Sequence, residues 1–325
     1  MYKGYETMKN LVARTLIGFL IASNCAAAGF DDFKELMLAP APKAEAGKPG
    51  LTVMFVGVAT LLFDDGETAI MTDGYFSRPA QNDLRSVVPD REAISKALKR
   101  TGVTSLAAVI PVHSHFDHAL DSPIVAMQTG ALLVGSSSTA NIGRGYGLPE
   151  ERIRTVKFGD TLSFGRFKVH FLQSAHLPTG YAPGPITAPL AVPAAASAFG
   201  QGDAYSLLIE REGQRVLVQG SAGFVPGALQ GRSADVIYLG TGGLTARDAT
   251  YQAAYWQEIV RTVGARRVIP IHWDNFFRPL EDGLVPGADF PRMIEALRER
   301  GRPDGIDIRL SPQWVVTDPF AGISK

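Results

Sequence analysis

Short apolar runs punctuated by glycine and aspartate set the texture of this chain. Residues 51–57 are mostly apolar and read as a strand, which 58–63 continue. Asp64, Asp65 and Gly66 make a turn, and 69–72 return as a second strand ending at Asp73. The period then changes. Ala93, Ile94, Ala97 and Leu98 fall on one face of a helix over 91–100, which Asp90 caps and Gly102 ends. A buried strand follows at 106–112. A short helix starts at Ser122 and Pro123 and stops at Gly130, and 131–134 is strand again. Strands alternating with helices imply an α/β arrangement in layers.

Beyond Pro149 the pattern is β, with short strands at 154–156, 161–164 and 167–172. Residues 177–203 have no period and are rich in Ala and Pro, so they form a functional loop or a disordered one. Their place directly after His176 favours a loop lining a pocket, with Tyr181 and Phe199 as contacts for an apolar substrate. Strands then fall at 206–210, 215–219, 235–239 and 267–271. Asp248 caps a helix over 249–263 whose inner stripe is Tyr251, Ala254, Tyr255 and Ile259. A helix over 290–300 and a strand at 306–310 finish the chain.

Composition narrows the classes. The 325 residues are 46% hydrophobic, enough for a substantial core. Basic and acidic residues balance at 32 each and no Lys/Arg run occurs, which argues against a nucleic-acid partner. The N-terminus has the pattern of a secretory signal. Met8 serves as an alternative start, Lys9 and Arg14 are the positive region, 15–22 the apolar core and Ala26–Ala28 the cleavage site. The apolar run is too short for a stable membrane span. Lipoprotein processing at Cys25 is disfavoured by Asn24. The expected division is a signal peptide over 1–28, a linker over 29–50 and one domain over 51–325, secreted or periplasmic. Without 1–28 the chain keeps 29 basic and 31 acidic residues, a net charge of −2, and has no cysteine for a disulfide or a thiolate ligand.

The chemistry concentrates in six residues, His113-Ser114-His115-Phe116-Asp117-His118, at the end of the strand over 106–112. Three imidazoles and a carboxylate so close together leave ring nitrogens in need of partners, and a divalent metal supplies them. His113 and His115, two apart in extended chain, face one way. His176 and His272 also follow predicted strands, so five of the six histidines sit at strand ends. His170 lies too far down its strand and reads as a packed or surface residue.

The His-x-His-x-Asp-His run after a hydrophobic strand closely resembles the signature of the metallo-β-lactamase superfamily, and the resemblance extends over about residues 51–315. It implies a four-layer αβ/βα sandwich, with two facing mixed sheets, helices outside and metals at one edge. It further implies a hydrolase that uses a metal-activated water on an ester, lactone, amide or phosphodiester. By the family pattern His113, His115 and His176 hold one metal, and Asp117, His118 and His272 a second, with Asp117 also placed to carry a proton. Zn2+ is the expected ion, one or two per chain, with Fe or Mn as alternatives. Asp73 is either a turn carboxylate or a group that orients a ligand histidine. Gly57-Val58-Ala59-Thr60 and the strand pair ending at Asp73 are similar to the ascorbate-phosphate lactonase-like and phospholipase D-like branch. One departure stands out. Where the family has a metal-bridging aspartate after Gly220, this chain has Ser221, a far weaker ligand, and Asp274 is a candidate substitute carboxylate. Two other readings remain: a mononuclear iron oxidoreductase on the same scaffold, and a metal-binding member without activity. The expected partner is a small, apolar or acylated substrate.

Overall fold

Alternation of side chains along each strand decides which residues meet across the molecule, and each half of the chain builds one sheet apart from a C-terminal strand that joins the first. The computed structural model describes residues 32–42 and 50–323. The first sheet holds β1 (Thr52–Gly57), β2 (Thr60–Asp64), β3 (Ala69–Thr72), β4 (Ala108–Ile110), β5 (Leu132–Gly135) and β6 (Ile153–Thr155) in chain order, with β14 (Val316–Thr317) beside β1. The second holds β7 (Thr161–Phe164), β8 (Phe167–Ser174), β9 (Ala204–Arg211), β10 (Gln214–Gln219), β11 (Val236–Gly240), β12 (Arg267–Ile271) and β13 (Asp307–Ile308), again in sequence. Both sheets are mixed. β1 to β3 pair antiparallel and β3 to β6 parallel. In the second sheet β7 to β10 are antiparallel and β10 to β13 parallel.

One set of alternate residues fills the space between the sheets. Val53, Phe55, Leu61, Phe63 and Ile70 face Phe167, Val169, Phe171, Leu207 and Ile209. Phe63 meets Tyr238 edge to face at 6.2 Å across the gap. The other set, Met54, Val56, Leu62, Met71 and Val109, packs outward on Ile94, Ala97 and Leu98 of the helix Arg91–Thr101 and on Ile124 and Val125 of the helix Ser122–Thr129. The Asp90 carboxylate caps the first of these helices by accepting from Glu92 N and Ala93 N, and Gly102, at φ 76°, closes it. The expected αβ/βα sandwich is the observed one.

Four local expectations need correction. Residues 58–63 do not continue the first strand. Gly57 (φ 145°) and Val58 (φ 51°) turn the chain back, so Gly57 faces Thr60 in an antiparallel pair. A valine at positive φ carries no sequence signal for a turn. The lead-in read as linker is, where described, part of the domain: Phe33, Leu36 and Leu38 are buried, and Leu38 N donates to Leu310 O. The helix after Asp248 is α-helical only over Ala249–Tyr255 and then widens into a π-helix over Trp256–Arg261. The strand expected at 306–310 shortens to β13, and β14 ends the apolar run Trp314-Val315-Val316, which the sequence reading did not assign to a strand. The segment read as a signal, Cys25 included, lies outside the described residues. Among the described residues no helix is long and apolar enough to cross a membrane.

Candidate metal centre

Every candidate ligand sits just beyond the C-terminal end of a strand or in the turn it feeds. β4 ends at Ile110 and delivers His113 and His115. β8 ends at Ser174 and delivers His176, and β12 ends at Ile271 and delivers His272. Asp117 and His118 ride on a single helical turn, Phe116–Ala119. These ends converge. His113, His115 and His176 each offer a donor atom within 4.8 Å of the others, and so do Asp117, His118 and His272.

The hydrogen bonds assign each ring its role. His118 Nδ1 bonds the Asp73 carboxylate Oδ2 at 2.7 Å, so Nδ1 carries the proton and Nε2 is the free lone pair. That Nε2 is buried without a hydrogen-bond partner. His176 Nδ1 donates to Leu177 O at 2.6 Å, which likewise frees its Nε2. His115 Nε2 faces Ala182 O at 3.4 Å, and its Nδ1 lies 3.1 Å from His113 Nε2. Tetrahedral zinc with bonds of about 2.0–2.1 Å separates its ligand nitrogens by about 3.3 Å, close to that spacing. His272 Nε2 lies 3.3 Å, and His118 Nε2 3.6 Å, from Asp117 Oδ2.

Electrostatics agree with a cation at this place. Burial, reinforced by His118 and His115, holds the His113 pKa well below the usual imidazole value. Burial and then His115 bring His176 down to about 4. Both rings are therefore neutral and ligand-ready near pH 7. Burial opposes charge on His118 too, yet Asp73 and then Asp117 outweigh it and raise its pKa. Burial likewise opposes charge on Asp117, but His118 and His272 hold its carboxyl well below the usual range. A positive charge between Asp117 and His118 is what these groups favour, and an N-rich set with one carboxylate suits a zinc-like ion.

The remaining site candidates separate. Asp73 is wholly buried at φ 54°, and besides His118 its Oδ1 accepts from Val112 N at 2.9 Å, beside the strand that feeds the histidines. Asp274 is committed elsewhere: Oδ1 accepts from Val58 N at 2.8 Å and Oδ2 pairs with Arg78 at 2.7 Å. Ser221 belongs to neither ligand group, and its hydroxyl accepts from Leu177 N at 3.0 Å. Tyr181 is 40% exposed with its ring 5.4 Å from that of His115. Phe199, expected as a substrate contact, is instead wholly buried with Val58, Tyr75, Phe116 and Ile142 and anchors the loop from beneath. The loop over 177–203 is well tied down: Ile186 N donates to Ser138 Oγ, Leu190 N to Asn141 O and Ser114 N to Gln201 O. His170 pairs with Glu210, away from the centre.

Three supporting residues escaped the sequence reading. Arg78 holds Asp274 in a wholly buried ion pair and donates to Asn275 O. Val58, whose N–H meets Asp274, accepts from His272 N at 2.8 Å, so the β1–β2 turn is fastened to a ligand-bearing loop. Gln219 Nε2 donates to Ser221 O and Gly223 O and shapes the turn beside His176. Its signal was available: a glutamine ending the buried run Val216, Leu217, Val218.

No curated protein matches the sequence. Among solved structures, Igni18, described as a novel metallo hydrolase from Ignicoccus hospitalis KIN4/I, aligns with TM-score 0.52 at 14% identity, covering 81% of this chain and 96% of that one. The metallo-beta-lactamase fold protein YhfI from Bacillus subtilis aligns with TM-score 0.50 at 15% identity, covering 83% and 100%. CmlA, described as a diiron beta-hydroxylase from Streptomyces venezuelae, aligns with TM-score 0.50 at 14% identity, covering 84% of this chain and 54% of that one. A family model described as the beta-lactamase superfamily domain matches residues 70–273, well over half of the chain and a span that contains all six candidate ligands. With that match and this fold, the chain belongs to the beta-lactamase superfamily.

Proposed function

We propose that the chain is a metal-dependent hydrolase that cleaves an ester, lactone, amide or phosphodiester with an activated water. The observation that carries this reading is the pair of three-residue donor groups converging at the strand ends, with the second nitrogen of His115, His118 and His176 already committed to an acceptor. A divalent ion bound there, zinc by the donor chemistry, supplies Lewis acidity and brings the pKa of water toward neutrality. The residues do the rest. Asp73 fixes the His118 tautomer. Leu177 O and Ala182 O fix those of His176 and His115. Asp117, held ionised by its imidazole neighbours, is a poor proton acceptor, which favours a ligand role over a shuttle.

Ser221 weakens the second site in this reading. A hydroxyl that already accepts from Leu177 N cannot balance the charge of two dications as a carboxylate would. Purified protein is expected to keep one ion tightly and lose the other on dialysis, and Ser221→Asp to raise the second occupancy. Two tightly held ions in the unaltered chain would count against this. The general test is elemental analysis joined to an activity panel before and after chelation. Activity that disappears with the metal and returns on adding Zn2+ supports the reading, and turnover indifferent to chelation overturns it. Iron in place of zinc, with oxygen consumption, would support the oxidoreductase reading, which the fold likeness to CmlA keeps open. Export to the periplasm or beyond is part of the proposal and rests on the charge and apolar pattern of residues 9–28. N-terminal sequencing of the mature protein checks it.

A further inference from the structure

Ring contacts run through the imidazoles of both donor groups. His113 lies 4.7 Å from His115 and 4.0 Å from His118, His118 lies 5.1 Å from His272, and His176 lies 4.6 Å from His115. Each group also touches an aromatic ring edge to face: Tyr181 stands 5.4 Å from His115, and Phe276 5.6 Å from His272. Phe276 is half-buried, meets Phe277 in a tilted contact at 4.5 Å and rests on Phe116, the residue before Asp117.

Tyr181 is presented to solvent by a built turn. Gly180 (φ 73°), Ala182 (φ 36°) and Gly184 (φ 95°) bend the backbone sharply around it. Gln201 N donates to Ala182 O, Gly202 N to Gly184 O and Tyr181 N to Thr179 Oγ. An alanine at positive φ costs stability, and strain of this kind gathers at ligand sites. A pre-set aromatic ring also binds with little ordering entropy.

A metal ion attracts an anion at any such centre, so selectivity rests on what surrounds it. The arginines of these segments are engaged, Arg78 by Asp274 and Asn275 O, and Arg278, next to Phe277, by Asp282, while the rings offer apolar surface.

We propose that Tyr181 and Phe276 are specificity-determining residues that grip the two substituents on either side of the scissile bond, and that the substrate is an uncharged carboxylic ester or amide with apolar, aryl-like groups on both sides. This rests on the hydrolase reading above. Each aryl group placed against one ring is worth about tenfold in kcat/KM, by the area removed from water.

The test is a panel matched in leaving-group reactivity on the zinc-loaded protein: methyl acetate, methyl phenylacetate, benzyl acetate, benzyl phenylacetate and dibenzyl phosphate, followed by proton release. Benzyl phenylacetate is expected to lead by about a hundredfold over methyl acetate, through KM, with dibenzyl phosphate last. Tyr181→Ala should cut the advantage of an aryl group on one side only, and Phe276→Ala that on the other. Tyr181→Phe should restore it, which separates the ring from the hydroxyl. Binding gives an activity-free readout. Dibenzyl ketone should bind the wild-type protein at least tenfold more tightly than either alanine variant, with magnetisation transfer from both rings. A flat ester profile, unchanged ratios in both variants, or preference for the phosphodiester overturns this inference while leaving a hydrolase. No turnover of any panel member, with dibenzyl ketone bound no more tightly by the wild type than by the alanine variants, overturns this inference, and the chelation test above decides the hydrolase reading separately.

Discussion

Asp73→Asn is the sharpest perturbation of the centre, because it exchanges one oxygen for a nitrogen and leaves the shape alone. The backbone at Asp73 has φ 54°, a conformation asparagine accepts readily, so the change adds no strain there. The carboxylate accepts two bonds: from Val112 N at 2.9 Å and from His118 Nδ1 at 2.7 Å. An amide can satisfy only one of these as an acceptor. With its oxygen on Val112 N, its NH2 faces His118 and forces the proton from Nδ1 to Nε2. That nitrogen is the buried, partnerless one in the ligand group with Asp117 and His272, and once protonated it cannot bind a metal. With the amide flipped, two donors confront each other at Val112. Loss of an oriented carboxylate–histidine pair costs about 10–100-fold in metal affinity, or about 1.4–2.7 kcal/mol. The metal-free fold loses about 1.5–3 kcal/mol with the charged hydrogen bond. Competition titration against a chromophoric chelator at pH 7 would read the two sites, with far-ultraviolet circular dichroism as the check on folding. In the proposed two-site arrangement, binding at Asp117, His118 and His272 should weaken, and binding at His113, His115 and His176 should not. A folded Asp73→Asn protein that binds both ions with wild-type affinity would refute the tautomer argument.

Breaking the buried Arg78–Asp274 pair with Arg78→Met should destabilise the protein by about 3–5 kcal/mol in urea unfolding, because Asp274 is left charged and wholly enclosed. The double variant with Asp274→Asn should recover part of this, and a simple sum of the single effects would show that the two groups do not act as a pair. At Gly223 an added Cβ would come within 2.3 Å of Ala175 O and 2.4 Å of the His176 backbone, so Gly223→Ala should displace His176 and lower zinc stoichiometry in elemental analysis. Far from the centre, Asp65 accepts from Glu67 N, Thr68 N and Arg166 and ties the β2–β3 turn to the β7–β8 turn. Burial opposes its charge, but the two backbone bonds and Arg166 win and lower its pKa. A folded pKa below the unfolded one contributes stability above the unfolded value of 3.8 that is lost as pH falls through the folded value. Asp65→Asn should therefore cost about 2 kcal/mol at pH 7, and the gap to wild type should close in acid, as urea midpoints across pH 2–7 would show.

The boundary between what the residues announced and what they hid follows the range of the interaction. His113, His115, Asp117 and His118 declare themselves because the chemistry of metal ligation is local and dense, and a strand ends beside them. His176 and His272 could be matched to them because each also follows an apolar run that forms a strand. The groups that hold those ligands in place had no such signal. Val58 is an ordinary valine in sequence, yet it stands at φ 51° with its N–H on Asp274 and its carbonyl on His272 N, more than two hundred residues away. Arg78 reads as a surface charge until Asp274 is brought to it. Phe199 failed in the opposite sense: an aromatic ring in a long aperiodic loop suggested exposure, but a loop holds its shape by sending apolar residues inward, and Phe199 does so with Ile186 and Ala196. Tyr181 in the same loop stays out at a turn made by Gly180, Ala182 and Gly184. Flanking glycines alone do not separate the two rings, because Phe199 is also followed by Gly200 and Gly202. What separates them is the apolar surface of Val58, Tyr75 and Phe116, which reaches Phe199 from distant parts of the chain and is invisible in the loop's own sequence.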